Sequence, residues 1–175
     1  DSVASRGLGD VYKRQVTAKL LGTVGQDDLT TIMIANKTGI SVGTLYHYFP
    51  NKYSILYALA ERWLKEIDRA MDDINNYTLD STNLRDFTNF SIDRMFTVYT
   101  NQEGILPLVQ LMSGVPELKS LDEEHDFKIS AIISNIFKRL NIASDPVVLT
   151  RLATTWLEVT PVSYTHLRAH ETLRY

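Results

Sequence analysis

The sequence contains no cysteine among its 175 residues. Disulfides and thiolate metal sites are excluded, and the absence fits a reducing cytoplasmic compartment. No apolar run approaches the ~20 residues that a membrane-spanning helix needs, so no membrane role is expected. An excess of positive charge is missing too. There are 18 basic against 21 acidic residues, a net charge of −3, which is not that of a broadly cationic nucleic-acid coat. No GxGxxG, GxSxG or HExxH motif and no phosphate-binding loop occurs. A Ser/His/Asp nucleophile cannot be built from neighbouring residues either, so no enzyme chemistry and no cofactor is expected. There is no β alternation of any length, no internal repeat and no low-complexity linker. The length suits one or two small domains with a real core, and the fold class expected is all-α.

What is present is concentrated between Leu29 and Lys52, LTTIMIANKTGISVGTLYHYFPNK. Thr30 stands before a short periodic run, where its hydroxyl can cap a new helix, and Ile34 and Ala35 lie one turn on, facing inward. Gly39 ends the run, as a glycine does when it turns left-handed past a helix end, and Ile40 folds back. Ser41 opens a second short helix with Leu45 and Phe49 as apolar anchors. Pro50 stops it, because proline disfavours helical geometry at the residue before it. Asn51 is a good cap for the helix after that. Two short helices joined by a tight glycine turn form the helix-turn-helix plan, whose second helix enters the major groove of DNA. The outward positions of that helix, Ser41, Thr44, Tyr46, His47 and Tyr48, carry hydroxyls and an imidazole able to bond phosphates or base edges. Val42 and Gly43 keep its start slim, and Lys52 sits in the first turn of the next helix, where a phosphate is already favoured. The bland alternative is that Tyr46, Tyr48 and Phe49 are core aromatics, since one face of so short a helix must be buried.

The string IANKTGISVGTLYHYFPNK closely resembles the DNA-binding signature of TetR-type transcriptional regulators: an IA pair, a glycine turn, a small-residue helix start, then LY, YF and a lysine. The resemblance implies an all-helical homodimer with an N-terminal three-helix DNA-binding domain and a C-terminal helical domain that pairs and holds a small-molecule inducer. It implies a palindromic double-stranded DNA operator as partner, and repression relieved by ligand. By residue match the DNA-contacting positions fall on Thr31, Val42, Gly43, Thr44, Tyr46, His47, Tyr48 and Lys52, with Ser41 beside them. Base reading is expected of Val42, Gly43 and His47, and phosphate holding of Thr31, Thr44, Tyr48 and Lys52. Where many members carry an arginine this chain has Ile32, which has no donor for a guanine. From Val16 to Lys52 three lysines (Lys19, Lys37, Lys52) face two acids (Asp27, Asp28), so the local charge is +1. The alternative of a different class is a helical interaction module that keeps the fold without operator binding.

The remainder reads as further helices. Val16–Val24 is expected to end a first helix that Gly25 stops. A fourth helix from Asn51 to Asn75 carries the stripe Ile55, Leu59, Trp63, Ile67, Met71 and Ile74, and it links the two domains as the natural lever between ligand and DNA. A fifth is expected from Asp80 or Ser81 to Asn101, with Leu84, Phe87, Ser91, Met95 and Tyr99 on its main face. A sixth has Pro107 in its first turn. A seventh is expected to start at a Ser120–Glu123 capping box, and an eighth at Asp145–Pro146. Asp122 and His125 have metal-ligand spacing, but acids beside a helix start are more simply explained by its electrostatics. Candidates for lining a pocket for a small apolar or aromatic effector are Trp63, Phe87, Phe90, Met95, Phe96, Tyr99, Met112, Phe127 and Phe137, which have few cations among them.

Residues 1–15 and 161–175 break the composition of the chain and resemble translated adapter sequence; they are expected to be non-native tails. The helix-turn-helix domain is then expected at 16–52 and the regulatory and dimerisation domain at 53–160. On that expectation the last helices are cut short, pairing is weakened, and Trp156 and Leu157 are left exposed.

Overall fold

Glycine, proline and short polar side chains divide the chain into helices. The computed structural model describes residues 2–78, 84–101, 105–112 and 114–172, and among these there is no strand. The helices are α1 (Ser2–Asp28), α2 (Thr31–Thr38), α3 (Val42–Tyr48), α4 (Lys52–Asn75), α5 (Leu84–Thr100), α6 (Ile105–Met112), α7 (Pro116–Arg139) and α8 (Pro146–Thr172). The all-α expectation is met.

Local signals set most boundaries. Gly25 leaves helical geometry at φ 76° and ψ 176°, a conformation open to glycine alone, and kinks α1 before its end. Thr30 caps α2 by accepting the Met33 N–H at 3.2 Å. Gly39 closes it at φ 70° and ψ 21°. The Ile40 amide then reaches the Ala35 carbonyl at 3.1 Å and the Gly39 amide that of Asn36 at 3.4 Å, the pair of bonds that satisfies a helix C-terminus. Asn51 and Ser54 cap α4 reciprocally: Asn51 Oδ1 accepts the Ser54 N–H at 2.9 Å and Ser54 Oγ the Asn51 N–H at 3.3 Å. Asp145 caps α8 through the Val147 N–H at 2.7 Å.

Four expectations need correction. Helix α1 starts at Ser2 and so takes in residues that were set apart as a tail, since no proline stops it from growing backwards. Helix α8 continues past Pro161 to Thr172, giving up the one hydrogen bond that a proline cannot donate. Helix α7 starts at Pro116, so the Ser120–Glu123 pair lies inside it and caps nothing. Proline suits a first helical position, and Val115 and Leu118 bury the start, which outweighs the serine signal. The acids from Asp122 to Asp126 are therefore also clear of the helix start that seemed to explain them. Leu84, expected on the main face of α5, is exposed. The expected start of α5 at Asp80 or Ser81 lies outside the described residues.

The chain forms two compact units, Asp1–Trp63 with Gln102–Asp122, and Leu64–Asn101 with Glu123–Tyr175. In the first, α1 packs on α2 and α6, and α2 on α3, which is why α6 belongs with the N-terminal helices. Leu21, Leu29, Ile34, Ala35, Leu45, Leu56, Leu108 and Met112 are buried there. Burial of each large aliphatic side chain stabilises by about 1.5–3 kcal/mol. In the second, Ile67, Met71 and Ile74 of α4, Phe87, Met95 and Tyr99 of α5, Ile129, Ile133 and Ile136 of α7 and Leu149 and Ala153 of α8 are buried. The whole expected stripe of α4 is inside.

Polar groups fasten the second unit. Arg139 donates to the carbonyl of Asn75, the last residue of α4, and to that of Tyr77 at 3.2 Å. Asp68 on α4 accepts His125 Nε2 at 3.2 Å and Lys128 Nζ at 2.8 Å, both from α7. Burial pushes the His125 imidazole below its ordinary value, although Asp68 pulls the other way.

Two stability predictions follow from these features. An added Cβ at Gly39 meets no heavy atom within 4 Å, so Gly39→Ala carries only the left-handed backbone cost, about 1–2 kcal/mol. Urea unfolding should show that loss, and an unchanged midpoint would contradict it. A histidine lowered by folding favours its neutral form, so its contribution is full above the ordinary value of 6.5 and declines as pH falls below it. Thermal melts between pH 7.5 and 5.5 should fall in midpoint, and His125→Gln should flatten that slope. The Asp126 carboxyl, raised by desolvation, acts with the opposite sign and nearer the carboxylate range.

Candidate nucleic-acid interface

Helix α3 is a seven-residue element that buries only Leu45. Ser41 caps it, accepting the Thr44 N–H at 3.0 Å, and the two hydroxyls lie 2.7 Å apart. Phe49 ends it in extended geometry, φ −134° and ψ 102°, as the residue before Pro50 must. Ser41, Gly43, Thr44, Tyr46, His47 and Tyr48 are exposed, and Val42 is half-buried. Tyr46 and Tyr48 are 48% and 55% exposed, which disposes of the core reading for both. The His47 and Tyr48 rings meet edge to face, 5.2 Å between centroids. The result is a continuous polar and aromatic face bearing hydroxyls and one imidazole.

Two of the expected contact residues do something the sequence did not announce. Thr31, on α2, is buried, and its hydroxyl lies 3.0 Å from that of Tyr46. It holds an exposed tyrosine of α3 against the start of α2. Lys52 donates from Nζ to the backbone carbonyl of Gln26 at 2.9 Å and sits 5.6 Å from the Tyr53 ring centroid. It thereby ties the start of α4 to the segment beyond the Gly25 kink. An ammonium has three donors, so one bond to a carbonyl leaves capacity for a phosphate. Gln26 escaped sequence reasoning because its backbone carbonyl, which carries no sequence signal, makes this contact. On the exposed face of α2 stand Ile32, 57% exposed, and Asn36.

The residues expected around an effector are dispersed. Trp63 and Met112 are buried in the first unit. Phe87, Met95 and Tyr99 are buried in the second, while Phe90, Phe96 and Phe137 are half-buried. Tyr77, not picked out by periodicity, packs on Phe87 and Phe90 with centroids 5.7 and 4.6 Å away. Phe127 is 81% exposed. It lines an open groove of about 660 Å³ between α7 and α8, with Ser130, Ala131 and Ser134 on one side and Thr150, Thr154 and Leu157 on the other. None of the other effector candidates lines this groove. Trp156 and Leu157, expected to be exposed, are half-buried. Among the described residues no cluster of metal-ligating side chains occurs.

Comparison with known proteins agrees with this geometry. A family profile described as bacterial regulatory proteins, tetR family, matches residues 15–59, which contain α2, α3 and the start of α4. The chain is 30% identical over 117 residues to the class A tetracycline repressor protein from transposon 1721 of Escherichia coli, covering 64% of this chain and 50% of that protein. It thus spans about half the length of that relative. The crystal structure of a TetR-family transcriptional regulator from Marinobacter aquaeolei VT8 superposes with a TM-score of 0.71 at 20% identity, over 91% of this chain and 80% of that one. The fatty acid degradation regulator FadR from Bacillus halodurans superposes with a TM-score of 0.61 at 14% identity, over 89% and 90%. At such identities the two structures speak for the fold. The profile on the helix-turn-helix, the repressor similarity and the shared helical architecture together show a helix-turn-helix of the tetR type at residues 15–59 and a TetR-like all-helical fold.

Proposed function

We propose that this protein is a transcriptional regulator, a repressor, that binds a palindromic duplex operator as a homodimer and releases it on binding a small apolar or aromatic effector. The observation that carries the DNA-binding part is the exposed face of α3. Its hydroxyls, imidazole and slim Gly43 start point away from a helix anchored by Leu45 alone. The bond to Thr31 gives Tyr46 a part in the scaffold, yet three consecutive exposed residues of the type Tyr46, His47 and Tyr48 also present groups that base edges and phosphates can bond. The Ser41 and Thr44 hydroxyls, 2.7 Å apart, stand at the start of the same helix, and Lys52 is the first residue of α4.

Dimerisation is supported by the groove of α7 and α8. Phe127 is a large exposed knob, and the small side chains of Ser130, Ala131, Ser134, Thr150 and Thr154 form a surface that such a knob fits. A two-fold pairing makes each copy donate and receive the same contact. For the effector, the apolar and aromatic side chains of α5, with Tyr77 beside them, favour a ligand without strong negative charge. Because α4 contributes residues to both compact units, a ligand that favours one packing of α4 shifts the population of DNA-competent molecules.

Selection of oligonucleotides from a random pool, followed by gel shifts, tests DNA binding. Sequence-selective, salt-sensitive binding is expected, and its absence would leave the interaction-module alternative. His47→Ala should relax preference at one base pair, worth about 1–3 kcal/mol, while Lys52→Ala should weaken all sites alike and lower the salt slope by about 1. Sedimentation tests the pairing. A dimer at micromolar concentration is expected, with Phe127→Glu shifting it to monomer. A wild-type monomer throughout would refute the proposed pairing.

A further inference from the structure

Resting on the DNA-binding function proposed above, we infer that Gly25 is a positioning residue for the phosphate contact of Lys52: its backbone turns the Gln26 carbonyl to where it fixes the lysine ammonium. Gly25 has φ 76° and ψ 176° inside α1. A helix has ψ of about −42°, so the peptide after Gly25 leaves the helical path. Such angles are essentially open to glycine only. Lack of space is not the reason for the glycine, because an added Cβ would meet no heavy atom within 4 Å. The demand comes from the backbone alone.

What the turn achieves is visible one residue on. The Gln26 carbonyl accepts two donors, the Leu29 N–H at 3.3 Å and Lys52 Nζ at 2.9 Å. Both lone pairs of one oxygen are thus engaged. In a straight continuation of α1 the same oxygen would lie along the helix axis, directed at a backbone amide of its own helix. Lys52 is half-buried, and its Nζ stands 5.6 Å from the Tyr53 ring centroid. A free lysine samples many rotamers and loses that freedom on meeting a phosphate. Fixing Nζ on the carbonyl completes part of that ordering beforehand and leaves two N–H donors for the phosphate. A tie that served the scaffold alone would use the same bond, but would leave the electrostatic share of DNA binding untouched.

The full-length protein and its selected oligonucleotide provide the test, with affinity measured over a range of salt concentrations. Gly25→Ala should release Lys52, lowering the salt slope by about 1 and weakening binding about fivefold for each half-site near ~0.15 M salt. The same change in a Lys52→Ala background should add little, because the contact through which it acts is already gone. A D-alanine placed at position 25 by semisynthesis has mirror-image preferences, adopts these angles without strain, and should restore the wild-type slope. Thermal melts check that each variant folds. Should Gly25→Ala not fold, the free wild-type protein decides: Lys52 must give a slowly exchanging ammonium signal in nitrogen NMR, and a signal averaged like that of the exposed Lys37 would overturn the inference. A wild-type salt slope for folded Gly25→Ala, or an equal loss with and without Lys52, would overturn it too and leave the DNA-binding function intact. If no oligonucleotide is enriched, the DNA-binding function fails and this inference falls with it.

Discussion

The hydrogen bond from the Ile40 amide to the Ala35 carbonyl closes the turn between α2 and α3, and the left-handed Gly39 makes it geometrically available. The bond satisfies a carbonyl that the end of α2 would otherwise leave open, and it carries the chain back toward the start of its own helix. Ser41 can then cap α3 at once, with a single residue between the glycine and the cap. So short a connection leaves little freedom in how α3 is aimed. A seven-residue helix would be marginal alone, and what holds α3 is this turn, its Ser41 cap and the burial of Leu45. The exposed residues of α3 owe their common direction to backbone bonds they do not themselves make.

Around that turn, residues of the candidate interface also maintain the scaffold. Thr31 bonds Tyr46, and Lys52 bonds Gln26. The first ties α2 to α3 and the second ties α4 to the end of α1. A side chain with such an anchor loses less freedom on meeting a phosphate or a base, because part of its ordering is already complete in the free protein. Substituting either residue therefore changes two quantities, the contact itself and the aim of a neighbouring element. The two separate by measurement, since loss of a phosphate contact alters the salt dependence of binding, whereas loss of aim acts on all conditions alike.

What was legible in the sequence was what short-range chemistry decides. Thr30, Ser41, Asn51 and Asp145 cap helices where expected, Gly25 and Gly39 leave helical geometry, and the α4 stripe is buried along its whole length. The Ser120 box was misleading because a good local cap loses to a proline start four residues upstream once Val115 and Leu118 are buried. Leu84 was placed on the main face of α5 because periodicity gives the angle around a helix and not how far its cover extends. The effector candidates illustrate the same limit. Aromatic residues at helical spacing are compatible with core, cavity and interface alike, and the structure distributes them among buried, half-buried and, for Phe127, fully presented positions. The partner of Lys52 was illegible in principle, being a backbone carbonyl.

Charge then constrains how such an interface can work. With three lysines and two acids between Val16 and Lys52, the DNA-binding region has little Coulombic attraction for phosphate. Each phosphate neutralised by a lysine releases condensed counterions, and a region with few lysines gains little from that source. Under the proposed function, affinity would come from close fit, from charge-free donors such as the hydroxyls of Thr44, Tyr46 and Tyr48, from apolar contact, and from engaging two half-sites at once. Doubling the contact through one dimer adds the free energies of both halves while losing overall translational freedom once. A weakly charged half therefore discriminates well: little of its binding is independent of sequence, so a mismatch in either half-site removes a large share of what holds the pair. If the proposed pairing holds, the near-neutral α2–α3 face and the groove of α7 and α8 are two parts of one solution to sequence selectivity.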